Sequence, residues 1–147
     1  MKNKPRCKWL PADKPDYVHY HDTEWGRPVR NDRLLFEMLI LEGAQAGLSW
    51  YTILKRRDGY RKAFKNFDPS RVARMKDSEL ERILKTGDII RNRLKVYSTR
   101  KNAQVFLAIK KEFGSFSRYL WAYVDGEPIV SRARNMKQMK AQTAVSD

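Results

Sequence analysis

Apolar residues gather most densely at Leu34, Leu35, Phe36, Met38, Leu39, Ile40 and Leu41, directly after Asn31-Asp32, a pair suited to capping a helix. The crowding is wider than the stripe of a surface helix and predicts a central one, ending near Gly47. Ser49 is placed to cap a following helix, WYTILKRR, and a further helix is predicted around Tyr60 to Phe67. Asp68-Pro69 is a helix start with proline at the first position, and Ser78-Glu79-Leu80-Glu81 fits a capping box. The short helix opened by that box meets Thr86-Gly87-Asp88 and gives way to a long helix beginning IIRNRLKV. Phe113-Gly114-Ser115 closes the long helix and opens FSRYLWAYV, and a turn follows from Val124 to Pro128. The first thirty residues are rich in Pro, Asp and aromatic side chains, show little periodicity, and read as irregular chain. About seven helices without an alternating strand pattern predict an all-α fold, in a single domain over residues 1–147.

Composition narrows the class. At 147 residues with 41% hydrophobic positions, the chain has the material for a packed core and is not disordered throughout. Its richest apolar stretch, Leu34 to Leu41, contains Glu37 and is too short to span a bilayer. The basic N-terminus leads into no apolar signal region, so we expect a soluble, cytoplasmic protein with no membrane association. Lys and Arg number 31 against 17 Asp and Glu, a net charge of +14, which favours a polyanionic partner. Nucleic acid is the first candidate and an acidic membrane surface the second. The single cysteine, Cys7, excludes an intrachain disulfide and a CxxC zinc module.

Four groups of residues could carry chemistry. Glu42 follows the apolar run on the central helix: either it is buried and put to use, or it sits at the helix edge and reaches water. Trp50, Tyr17 and Tyr20 offer flat faces that either pack in a core or stack on an extruded base. Cys7, His19 and His21 are the only thiol and imidazole groups, fewer than the four ligands of a structural zinc. The hairpin around Gly87 could present backbone N–H groups to a phosphate, with Arg91, Arg93 and Lys95 following. Asp88 counts against that use, because a carboxylate there competes for the same N–H groups. GxGxxG and GxxxxGK are absent, and no serine-hydrolase or paired-carboxylate pattern stands out.

Longer motifs add to these residues. Cys7-Lys8-Trp9, YHDTEWG at 20–26, LFEMLILEGAQAGLSWYTILKRR at 35–57, YRKAFKNFDPSRVARM at 60–75, IIRNRLK at 89–95 and WAYVDGEPI at 121–129 cover nearly the whole chain. In this order the chain resembles the 3-methyladenine DNA glycosylase I family. The resemblance implies a helix-hairpin-helix glycosylase fold and excision of 3-methyladenine from double-stranded alkylated DNA by a monomer. It implies that Glu42 contacts the flipped base, that Trp50 and Tyr20 stack around it, and that Tyr17 shapes the pocket. It also implies Cys7 and His21 as two ligands of a structural zinc, whose other His and Cys belong to a C-terminal segment beyond Val145-Ser146-Asp147. On that expectation the chain is C-terminally shortened and holds half a zinc site. Asp88 departs from the glycine common in the family. With no lysine to assign as nucleophile, a monofunctional enzyme is expected. The competing expectations are a non-catalytic basic DNA-binding protein that keeps the fold, and a zinc-dependent interaction domain resting on Cys7 and His21 alone.

Overall fold

The computed structural model describes residues 6–131, 133, 135–140 and 142–146. Among them eight α-helices follow one another with no strand: α1 Pro15–Thr23, α2 Asp32–Gln45, α3 Trp50–Leu54, α4 Arg57–Ala63, α5 Pro69–Ala73, α6 Asp77–Thr86, α7 Arg93–Phe113 and α8 Phe116–Ala122. Short 3-10 turns occupy Lys65–Phe67 and Met136–Gln138. No helix among the described residues is long and apolar enough to cross a membrane.

The fold is built on α2 and α7. Asn31 accepts hydrogen bonds from the amides of Arg33 and Leu34 at 3.0 and 3.1 Å and starts α2. This helix buries Phe36, Ile40, Leu41 and Ala44, whereas Leu34 and Leu39 face outward, so α2 is central without being enclosed. Opposite it, α7 contributes Val96, Ala103 and Phe106. The Phe36 and Phe106 rings meet edge to face at 5.1 Å, and Phe106 stacks on Phe116 of α8 at 4.2 Å. Each fully buried phenyl group contributes about 1.5–3 kcal/mol by leaving water. Asp32 also closes a link across the chain: its carboxylate accepts from the amides of Phe116 and Ser117, satisfying the start of α8 from the start of α2.

Four boundaries differ from the sequence expectation. The N-terminal region is not irregular, because Pro15 and Asp16 open α1. The helix predicted to reach Phe67 ends at Ala63; residues 65–67 then take left-handed φ values of 53 to 55°, which lets both Phe64 and Phe67 drop into the core. Arg33 donates to the Asn66 carbonyl at 2.8 Å and holds this turn. The cap of α6 is Lys76, not Ser78: Glu79 reaches back to the Lys76 amide at 3.0 Å while accepting from Lys65 Nζ at 2.6 Å. Finally, α7 begins at Arg93, not Ile89. Residues 89–92 stay out of the helix: Ile89 is buried at a bend, the Ile90 amide donates to the Tyr60 hydroxyl at 3.3 Å, the Asn92 amide turns back to Ile90 O at 2.8 Å, and Asn92 then caps the Lys95 amide.

Candidate functional site

Helix formation across Pro15–Thr23 brings Tyr17 and Tyr20 to one side, three residues apart, with ring centroids 6.3 Å from each other. Tyr20 then meets Trp50 at 5.5 Å. Trp50 is the first residue of α3, set there by Ser49, whose hydroxyl accepts from the Thr52 amide at 3.2 Å. On the last turns of α2, Glu42 and Gln45 complete the wall. The result is a cavity of about 340 Å³ lined by Trp9, Tyr17, Tyr20, Trp25, Glu42, Gln45, Trp50 and Met139. All four pocket residues expected from the sequence, Tyr17, Tyr20, Glu42 and Trp50, line it.

The polar groups in this cavity are few. Glu42 has no hydrogen-bond or ion-pair partner among the described residues, and burial pushes its carboxyl above the ordinary value. Glu42 sits exposed at the helix edge, the second of the two alternatives read from the sequence, while partial desolvation still raises its carboxyl. Burial, then the nearby negative charges of Glu42 and Glu24, push the Tyr20 phenol up to about 12, which keeps it neutral. Trp50 Nε1–H is buried with no acceptor among the described residues. An unpartnered buried donor costs about 1–3 kcal/mol, so an acceptor that reached it would recover that loss. Ring faces, one unpaired carboxylate and one unpaired donor suit a flat, nitrogen-rich ring with N–H groups on its edge.

Cys7 and His21 are neighbours, as expected. The Cys7 amide approaches His21 Nε2 at 3.5 Å, and His21 Nδ1 lies 2.9 Å from Asp22 Oδ1. The hydrogen bond from Arg6, then that from His21, hold the Asp22 carboxyl down to about 2. An imidazole braced at Nδ1 by a carboxylate, with Nε2 turned toward Cys7, is the orientation a zinc ligand takes. Among the described residues, however, no third His, Cys, Asp or Glu completes a metal-binding group. Two donors do not make a tetrahedral site. His19, also on α1, belongs to no metal-binding group among the described residues.

The hairpin between α6 and α7 carries the remaining sequence-selected residues. Gly87 ends α6, its amide donating to Ile83 O at 2.8 Å; a Cβ there would lie 2.7 Å from that same oxygen. The amides of Asp88, Ile89 and Arg91 have no acceptor among the described residues and remain free for an anion. Arg56 holds the Asp88 carboxylate at 2.9 Å. Arg91 donates to Lys85 O at 2.9 Å, and Arg93 pairs with Glu81. Lys95 is engaged internally: its ammonium bonds the Ala44 and Ala46 carbonyls at 2.8 and 2.7 Å, closing the end of α2.

Sequence reasoning missed Trp9, Trp25, Gln45 and Met139 as wall residues. Trp25 does pack, stacked on His21 at 5.4 Å and edge-on to Trp9 at 5.2 Å, but the same cluster forms one side of the cavity. Gln45 was findable, since it follows Glu42 by three residues on one helix face. Nothing in the local sequence marks Met139.

A basic helical bundle that combines a hairpin of free amides with a ring-walled cavity is the architecture of the helix-hairpin-helix DNA glycosylases. Residues 9–147 match the family model described as methyladenine glycosylase, and the chain belongs to that family. It shares 41% identity over 142 residues with DNA-3-methyladenine glycosylase 1 of Escherichia coli (strain K12), covering 97% of this chain and 75% of the relative. A crystal structure of 3-methyladenine DNA glycosylase I superposes with a TM-score of 0.91 at 42% identity, over 96% of this chain and 77% of that one. A solved variant of 3-methyladenine DNA glycosylase I in complex with 3-methyladenine matches at TM-score 0.77 and 40% identity, over 79% of this chain and 62% of that one.

Proposed function

We propose that this protein is a monofunctional DNA glycosylase that removes 3-methyladenine from alkylated duplex DNA. The observation that carries the proposal is the cavity itself: the Glu42 carboxylate, without a partner among the described residues, borders a space walled by Tyr17, Tyr20 and Trp50. A protein that only gripped phosphates would have no use for it.

Methylation at N3 makes the base cationic in DNA and weakens its bond to the sugar, so little general-acid power is needed. The base leaves the stack and enters the cavity against the Tyr20 and Trp50 rings, where cation–π attraction favours the methylated form over neutral adenine. Glu42 accepts from the N–H edge and places negative charge near the sugar–base cation, which favours scission. The C1′–N9 electron pair passes to the base and cancels its charge. Water adds to C1′ and releases a proton to solvent, leaving free base and an abasic site. The free hairpin amides at 88, 89 and 91, with Arg91 beside them, hold a backbone phosphate of the flanking duplex.

Cys7 and His21 are the residues that would bind a structural zinc, with Asp22 orienting the imidazole. They supply only part of its ligand set, and no step of the reaction runs through a metal. The test of function is release of 3-methyladenine from methylated duplex DNA by the purified chain. Release is expected; none from folded protein would sink the proposal.

A further inference from the structure

The closely packed helix pairs, α5 with α7, α7 with α8 and α2 with α7, do not include α1, although α1 carries two cavity walls. What fixes its far end is an ion group. Arg57, the first residue of α4, is buried, and its Nε donates to Glu37 Oε1 on α2 at 2.6 Å. The Nη1 of the same guanidinium donates to both carboxylate oxygens of Glu24, at 2.9 and 2.8 Å. Arg61 adds a second cation to Glu37 at 2.9 Å, so two cations balance two carboxylates. Glu24 directly follows α1, and its amide and that of Trp25 both donate to Tyr20 O, at 2.8 and 3.0 Å. Glu37 lies five residues before Glu42 on α2.

We infer that Arg57 is a positioning residue for the base cavity: its guanidinium, shared between Glu37 and Glu24, sets the spacing between the Tyr20–Trp25 wall and the helix that carries Glu42. A single planar fork spans the two carboxylates, which an ammonium does not do with the same geometry. The assignment rests on the glycosylase function proposed above. Its consequence is that loosening the wall at Glu24 slows bond scission without loosening the grip on DNA, because the bonds that hold the hairpin, Arg56 to Asp88 and the Ile90 amide to the Tyr60 hydroxyl, do not involve Glu24.

Arg57→Ala is a poor probe, because it leaves Glu37 buried and unpaired. Glu24→Ala is clean, since the Glu24 side chain is 43% exposed and its loss leaves Arg57 paired with Glu37. Single-turnover release from methylated duplex should slow roughly 10-fold, as misplacement of up to an ångström costs as much as 100-fold. Affinity for duplex carrying an abasic-site analogue should stay within about twofold of wild type, a split that general destabilisation does not produce. Hydrogen exchange of the amides from Tyr20 to Trp25 should quicken while α7 amides keep their protection. A wild-type release rate in Glu24→Ala overturns the assignment. So does a slower rate without faster exchange, since Glu24 would then act through its charge. If the wild-type chain releases no base, the glycosylase function fails, while the exchange comparison still reports whether Arg57 holds the wall.

Discussion

The carbonyl oxygen of Asp88 lies 1.8 Å from the point where a Cβ on Gly59 would begin. Helix α4 therefore meets the hairpin backbone to backbone, and Arg56 and the Tyr60 hydroxyl fasten the same contact from either side. Gly59→Ala has to push the hairpin away. We expect a cost of about 1–3 kcal/mol, as for other overpacked sites, and so a melting temperature lower by several degrees. Duplex affinity should fall while affinity for free 3-methyladenine holds. Calorimetry with the two binding titrations checks this, and unchanged duplex binding would contradict it.

That contact also shows where the sequence stopped being legible. Helices α2, α3, α5 and α8 announce themselves through Asn31, Ser49, Asp68-Pro69 and Ser115, because capping is a local interaction. Helix α1 was hidden because Pro15 and Asp16 serve turns as readily as helix starts. The late start of α7 was invisible for a tertiary reason: Tyr60, thirty residues away, takes the Ile90 amide and keeps it out of the helix. Glu37 looked like an interruption of an apolar run, yet it is among the most buried acids, because Arg57 and Arg61 arrive from α4. Of the cavity, Tyr17, Tyr20, Glu42 and Trp50 came through family motifs. Met139 depends on where a distant segment comes to rest, which no local pattern encodes.

Trp50→Phe keeps a ring in the wall and deletes the orphaned donor. Relief of the unsatisfied N–H and loss of buried ring area oppose each other, and stability should stay within about 1 kcal/mol of wild type. Affinity for the free base should fall up to about 10-fold, the worth of one hydrogen bond. Fluorescence titration with 3-methyladenine tests this; undiminished binding would remove Trp50 Nε1 from the recognition.

Asp88 sets a charge beside the free hairpin amides, only partly offset by Arg56, and its side chain is 73% exposed. Exposed pairs of this kind contribute about 0–1 kcal/mol, so Asp88→Asn should leave stability nearly unchanged. Duplex affinity should rise by a factor of about 2–5, because a repulsion of about 1 kcal/mol toward the phosphate is removed. For both proteins log Kd should rise with log salt concentration. A flat salt response would argue that the +14 surface does not meet DNA.

Metal analysis after dialysis tests the Cys7–His21 pair. Two donors braced by Asp22 should hold zinc weakly, and we expect well under one equivalent per chain of 147 residues. One tightly held equivalent would mean that other ligands complete the site, within the chain or between chains.

Glu42 gives the sharpest pH test, because its two effects run in opposite directions. Burial raises its carboxyl above the ordinary value, so the folded protein binds this proton more readily than the unfolded chain does. In the free protein, stability from this group is therefore present at low pH and is lost as pH rises through the folded value. Glu42→Gln should remove that dependence and be no less stable than wild type at neutral pH. Catalysis needs the ionised form, so kcat/KM should fall as pH drops through the same raised value, higher than an ordinary glutamate would place it. A cationic base next to the carboxylate favours ionisation, and the acid limb of kcat should lie at lower pH than that of kcat/KM. Glu42→Gln should lose the acid limb along with roughly 100-fold or more of the release rate, typical of a general electrostatic contributor. Release by Glu42→Gln at the wild-type rate, or with an unmoved acid limb, would place the essential carboxylate elsewhere.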